Sequence, residues 1–392
     1  PYMTGENGGA AYIFIYIACV IVLGIPCMIA EFLIGRHGAS NTARAYTRLA
    51  NGSKWKWIGY LEVLTGFLIT GYYAVVSGWC LNYVYASIMG ELKGAPNYVK
   101  DYFVAFSTDP IRPIFWTVVI FLITHYIIVH GVRNGIEKAS KLMMPTLFIL
   151  LLVIVVAACL LPGASAGITF LLKPDFSKVT GDVFLNALGQ CFYSMSIAMG
   201  CLCTYASYFN RKTNLTTSAI QIGFIDLFVA ILAGLMIFPA AFSVGISPDS
   251  GPSLIFITLP NVFNQAFSGA PVLGWIIALL FYALLSLAAL TSLISLHEVN
   301  TAFFYEELHI SRKAGAWIVT LSCAVIGAIC SLSIGQKDTL SLFGKDLFDL
   351  FDFVTGQLML PIGGMLMCVF VGWVVPQQED ITILNINAPN TG

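Results

Sequence analysis

Nine long apolar runs dominate the chain, at 12–35, 58–89, 114–130, 143–161, 183–208, 219–244, 272–301, 316–334 and 347–375. A helix of about 20 apolar residues crosses a hydrocarbon core of about 30 Å, so each run is predicted to span a membrane. In lipid the backbone must satisfy its own polar groups, which makes these spans helices. Several exceed what a bilayer needs and are expected to tilt, kink or protrude. The long connection 247–271 carries an apolar piece, 254–267, too short to span. It is predicted to form a helical hairpin capping one face. Residues 1–392 read as a single transmembrane domain, with 376–392 as a tail.

Composition agrees with this pattern. Of 392 residues, 58% are hydrophobic and 10% charged, with a net charge of −1. A typical soluble domain carries about a quarter charged residues. Disordered chains, nucleic-acid binders and ordinary soluble enzymes are thereby excluded, and no polyanionic partner is implied. The ten cysteines sit mostly inside apolar runs, where cysteine behaves as a small hydrophobe. The connections alternate in charge: one side holds twelve of the 19 Lys and Arg, including Arg36, Arg44, Arg48, Arg312 and Lys313. That side is assigned to the cytoplasm, which puts Pro1 toward the exterior and the tail inside. The chain begins at Pro1 without an initiator methionine, and the first residues of the natural protein are expected to lie upstream.

Polar residues at membrane depth are functional candidates by default. In the run 190–200, Ser194, Ser196 and Gly200 interrupt a span, where an unwound helix frees carbonyls that can hold a cation, although a kinked continuous helix also fits. Asp226 lies eight residues into its span, and a lone carboxylate there needs a cation, a partner or a proton. Thr291 and Ser292, with Ser295 one turn on, offer neutral oxygens suited to a monovalent ion, or serve as helix-packing glue. Tyr72 and Tyr73 lie in a glycine-flanked stretch, where a phenol can bond a substrate carboxylate or fill a helix crossing. Glu31 and Glu62 read as lying near cytoplasmic ends or helix interfaces, and Asp349 and Asp352 as acids suited to a helix N-terminus. His125 and His130 are five apart, not the four that places two ligands on one helix face, so no metal site is called.

At these segments the chain resembles the neurotransmitter:sodium symporter family, in particular its bacterial amino-acid transporters. Pro1-Tyr2 followed by Glu6-Asn7-Gly8-Gly9 is similar to the family's RFPY…NGG signature entered at its proline. Gly24-Ile25-Pro26 through Glu31, Gly35-Arg36, Ala187-Leu188-Gly189-Gln190, the run 204–208, the run 256–260 and Glu306-Glu307-Leu308 match further, in order, over nearly the whole chain. The resemblance implies an all-α membrane protein with an inverted five-plus-five helix repeat and broken first and sixth helices. It places Pro1 just after the unwound part of the first helix and the end of the chain after the tenth. On that expectation the first-helix groups that serve both sodium sites lie outside this sequence.

Carried over by residue, Ser194 and Asp226 resemble ligands of the sodium that touches substrate. The Ala288 carbonyl with Thr291 and Ser292 resembles the second sodium site. Ile69, Tyr73, Tyr193, Ser194, Ser196, Met199 and Leu296 resemble the substrate pocket. Tyr73, Tyr193 and Asp352 resemble the outer gate, and Tyr208 and Glu306 the inner gate. Tyr16, Gln190, Ser194 and Asp226 stand where animal members bind chloride, with Asp226 supplying the negative charge from within the chain. Two departures stand out: Ala198 where glycine is common, and Glu298-Val299 for a Gln-Pro pair. The implied activity is sodium-coupled symport of an apolar or aromatic L-amino acid across the cytoplasmic (inner) membrane, independent of chloride. Sodium is the coupling ion, with no other cofactor and no nucleic acid; oligomeric state is left open. A transporter of another small zwitterion or amine is the alternative. An ion channel or a membrane enzyme is the rival class, the enzyme resting on His297 beside Ser295.

Overall fold

A computed structural model describes residues 2–93, 96–209, 213–243, 254–336 and 340–375. After a single turn at Tyr2–Glu6, the helices are α1 (Ala10–Gly38), α2 (Thr42–Leu49), α3 (Lys54–Met89), α4 (Pro96–Ser107), α5 (Arg112–Val129), α6 (Asn134–Cys159) and α7 (Ala164–Leu172). There follow α8 (Gly181–Ser194), α9 (Cys201–Ser207), α10 (Leu215–Ser243), α11 (Leu259–Ala266), α12 (Pro271–Glu307), α13 (Arg312–Gly335) and α14 (Leu347–Val374). Eight of them, α1, α3, α5, α6, α10, α12, α13 and α14, are long and apolar enough to cross a membrane. They coincide with eight of the nine apolar runs. The remaining run, 183–208, is divided into α8 and α9 by a non-helical segment.

Local chemistry sets the helix ends. Asn41 caps α2 by accepting from the Arg44 amide, Ser311 caps α13 through Ala314, and Asp346 caps α14 through Asp349. Proline sits in the first turn of α5 and α12, where its missing N–H is harmless. The chain leaves α3 at Gly90, whose φ of 75° suits glycine. The acid that caps α14 is therefore Asp346. Asp349 occupies its first turn and Asp352 the second.

Helix α3 is the central post. It is more deeply buried than the other spans and packs against α12, α5 and α13. Phe115, Leu122, Tyr126, Ile149, Val153, Phe224 and Phe228 remain exposed on the outer helices, the faces that suit lipid. Three short helices lie in connections that hydrophobic runs do not mark: α2, α4 and α7. The predicted hairpin over 254–267 is a widened helical turn at Leu254–Thr258 running into α11. The earlier part of that connection, 244–253, lies outside the described residues.

Candidate functional site

The site is organised by the break between α8 and α9. Three residues there adopt left-handed backbone conformations: Ser196 (φ 56°), Ala198 (φ 62°) and Gly200 (φ 76°). A right-handed helix cannot continue through them. Buried backbone groups freed by the break must find partners. The Ile197 amide reaches back to the Phe192 carbonyl at 2.9 Å. The Glu31 carboxylate, fully buried on α1, accepts from the Ala198 amide at 3.0 Å and the Cys203 amide at 3.2 Å. The Thr42 hydroxyl, at the start of α2, donates to the Gly200 carbonyl at 3.0 Å and lies 3.1 Å from the Thr204 hydroxyl. Close packing fixes the neighbours. A Cβ on Gly35 of α1 would fall 2.1 Å from the Cys203 carbonyl oxygen, and one on Gly66 of α3 would fall 2.8 Å from that of Met199.

On one side of the break stands a carboxylate held by hydroxyls. Ser194, the last residue of α8, donates to Asp226 Oδ1 at 2.9 Å, and Tyr16 of α1 donates to Oδ2 at 3.1 Å. Gln190, one turn before Ser194, lines with Tyr16 and Ser194 a cavity of about 430 Å³ whose other walls, among them Ile13, Leu227 and Ile231, are largely apolar. Tyr16, Ser194 and Asp226 are thus brought together, and Gln190 lines the same cavity as Tyr16 and Ser194.

A second oxygen cluster lies on α12. The Ala288 carbonyl accepts from the Thr291 hydroxyl at 2.8 Å and from the Ser292 hydroxyl at 3.2 Å. Three oxygens therefore converge within one helical turn. Tyr205 of α9 donates to Ser295 at 3.1 Å, tying the far side of the break to this helix.

Ile69, Met199 and Leu296 are buried apolar side chains from α3, the break and α12. Tyr73 lies near Ser292. Tyr193 and Asp352 meet at Tyr72, the neighbour of Tyr73, which also lies 3.2 Å from the Thr355 hydroxyl. The outer residues named from sequence therefore converge, but on Tyr72.

The inner residues named from sequence do not pair with each other. Tyr208 donates to Glu298 at 2.8 Å, and Glu298 is ion-paired with Arg312, which also bonds the Ile128 carbonyl. Glu306 instead accepts from the Asn41 backbone and side-chain amides at 2.7 and 2.9 Å, beside an Arg44–Glu307 ion pair at 2.9 Å. The sequence departure at Glu298 thus has a physical complement, since a buried acid there is matched by Arg312. His297 spends its two ring nitrogens on Thr301 and Thr320, while Ser295 bonds Thr291 and Tyr205. The two are not a nucleophile–base pair.

Sequence reasoning passed over Glu31, Thr42 and Arg312. Glu31 carried a usable signal, an acid within an apolar run, and of its two readings, a cytoplasmic end or a helix interface, the structure shows the interface, where it bonds the break. Thr42 and Arg312 carried none, since their roles depend on which loop meets which helix.

The chain matches the profile of the sodium:neurotransmitter symporter family over residues 1–96 and 94–382. It is 36% identical over 391 residues to an uncharacterized sodium-dependent transporter of Haemophilus influenzae, covering 96% of this chain and 84% of that one. It is 34% identical over 394 residues to the uncharacterized sodium-dependent transporter YhdH of Bacillus subtilis, covering 100% of this chain and 86% of that one. Among solved structures, MhsT in complex with L-phenylalanine superposes with a TM-score of 0.88 at 36% identity, covering 98% of this chain and 90% of that one.

Proposed function

Because the chain belongs to the sodium:neurotransmitter symporter family and is a sodium-dependent, multi-pass membrane transporter, we propose that it couples sodium entry to the uptake of an apolar or aromatic L-amino acid across the cytoplasmic membrane. The observation that supports this reading is the pair of oxygen clusters beside the helix break, a carboxylate–hydroxyl cluster at Asp226, Ser194 and Tyr16 and a hydroxyl–carbonyl cluster at Ala288, Thr291 and Ser292, with Ile69, Met199 and Leu296 as buried apolar side chains. Hard monovalent cations take oxygen ligands, and a desolvated amino acid needs its side chain in an apolar wall and its carboxylate near a cation or phenol. Ser194 and Asp226 serve one sodium, and Ala288, Thr291 and Ser292 the other. Tyr73 and Ser196 face the polar end of the substrate. The likeness to a structure holding L-phenylalanine supports an amino-acid substrate.

Occupation of both clusters by sodium favours the outward-facing state and completes the pocket; once substrate binds, Tyr193 and Asp352 close over it, and the Tyr208 side then opens. Ions and substrate together must bind the occluded state better than the open one, since equal affinity shifts nothing. Asp226 supplies the charge that balances the neighbouring sodium, so transport is chloride-independent. The test is thermal stabilisation of the purified natural full-length protein, screened across amino acids with and without sodium. Stabilisation by apolar or aromatic L-amino acids only when sodium is present supports the reading. Stabilisation independent of sodium, or confined to amines lacking a carboxylate, overturns it.

A further inference from the structure

Two cysteines on different spans come into sulfur–sulfur contact. Cys27 Sγ of α1 lies 3.3 Å from Cys368 Sγ of α14. Cys27 is buried, whereas Cys368 is exposed on the outside of the bundle. Both are free thiols, and they are separated by 341 positions in sequence. A disulfide has an S–S distance of about 2.04 Å. Closing the gap asks for a little over 1 Å of sulfur movement.

Their place in the fold gives this pair consequences. Glu31, which holds the Ala198 and Cys203 amides, lies one turn beyond Cys27 on the same side of α1. Gly364 lies one turn before Cys368 on α14. A Cβ on Gly364 would fall 2.4 Å from the Phe192 ring, and one on the adjacent Gly363 would fall 3.3 Å from the Ala198 Cβ. Helices α1 and α14 thus press on the break from two sides, and the cysteines sit where these two walls meet.

We propose that Cys27 and Cys368 form an oxidant-sensitive site whose disulfide clamps α1 to α14 and holds the break in one conformation. The oxidant is a small neutral peroxide able to enter the bilayer. The exposed Cys368 sulfur attacks one peroxide oxygen, releasing water and leaving a sulfenic acid. The Cys27 sulfur then attacks the Cys368 sulfur, forming the S–S bond and expelling the sulfenic oxygen as a second water that takes up the remaining thiol proton. Two thiols lose two electrons and one peroxide becomes two waters. A dithiol reductant reverses the bond by exchange.

The experiment treats the natural full-length protein in lipid vesicles with hydrogen peroxide, then divides it for peptide mapping, amide exchange and uptake. The map is expected to show a peptide joining Cys27 to Cys368, lost after dithiothreitol and absent from Cys368→Ser and Cys368→Ala. Amide exchange at 195–200 is expected to slow in the wild type only. If Cys27 and Cys368 remain open to alkylation under denaturing conditions after treatment, the site is refuted. If they join but exchange at the break is unchanged, the clamp is refuted. The third arm, loss of sodium-driven uptake to background in the wild type and its survival in Cys368→Ser, rests on the transport reading above. Absence of uptake before any oxidant counts against that reading alone, and the first two arms still decide the site.

Discussion

Replacing Glu31 by glutamine isolates what holds the break open. The wild-type carboxylate accepts from two backbone amides, Ala198 at 3.0 Å and Cys203 at 3.2 Å, in a position without solvent access. Glutamine keeps one acceptor oxygen and turns an NH2 toward the other amide. One of the two bonds is lost, and two donors face each other. A hydrogen bond contributes about 0.5–1.5 kcal/mol net and an unsatisfied buried donor costs about 1–3 kcal/mol, so the change weakens the break by roughly 2–4 kcal/mol. Because 1.4 kcal/mol is a factor of ten, local opening should rise by roughly 30-fold or more, read as faster deuterium exchange at Ala198 and Cys203. Glu62→Gln is the control. Its carboxylate accepts from Tyr46 at 2.6 Å, and no backbone amide of the break donates to it. Unchanged exchange at Ala198 and Cys203 in Glu31→Gln, or equal acceleration in Glu62→Gln, would refute the reasoning.

Thr291→Ala and Ser292→Ala each remove one oxygen from the α12 cluster, worth about 1–3 kcal/mol, so half-saturating sodium should rise roughly tenfold while the ranking of amino acids is kept; an unchanged sodium titration in both variants sinks the assignment. Asp226→Asn should slow turnover and make uptake responsive to chloride, and wild-type uptake that collapses when gluconate replaces chloride shows that Asp226 is not the counter-charge. Ala198→Gly relieves a left-handed alanine at φ 62° and should raise stability by about 1 kcal/mol, seen as a higher melting temperature; a lower one means that the Ala198 methyl contributes more by packing than it costs in strain.

The spans were legible because lipid imposes one solution on an apolar run, and eight of nine runs are continuous helices. The interruption at 195–200 was signalled by Ser194, Ser196 and Gly200, which by themselves also fitted a kinked continuous helix, and Ala198, a sound helix former in isolation, gives no hint of its positive φ. That conformation is imposed by Glu31 and Thr42, both distant in sequence. The clustering of Tyr16, Ser194 and Asp226 followed family resemblance, and the distances agree. The Tyr208–Glu298–Arg312 linkage was not legible, because a mid-span Glu298 cannot by itself announce which loop will deliver its arginine. The helices α2 and α4 escaped notice for a related reason. Each is short, and its apolar face becomes visible only against the spans it covers.

The most direct test of sodium-coupled amino-acid uptake is accumulation of radiolabelled L-phenylalanine by proteoliposomes holding the natural full-length protein, with gluconate as the only external anion. An inward sodium gradient should drive the internal concentration transiently above the external one, and replacing sodium by potassium should abolish this. Uptake that only equilibrates, or that proceeds equally well in potassium, would contradict coupling to sodium.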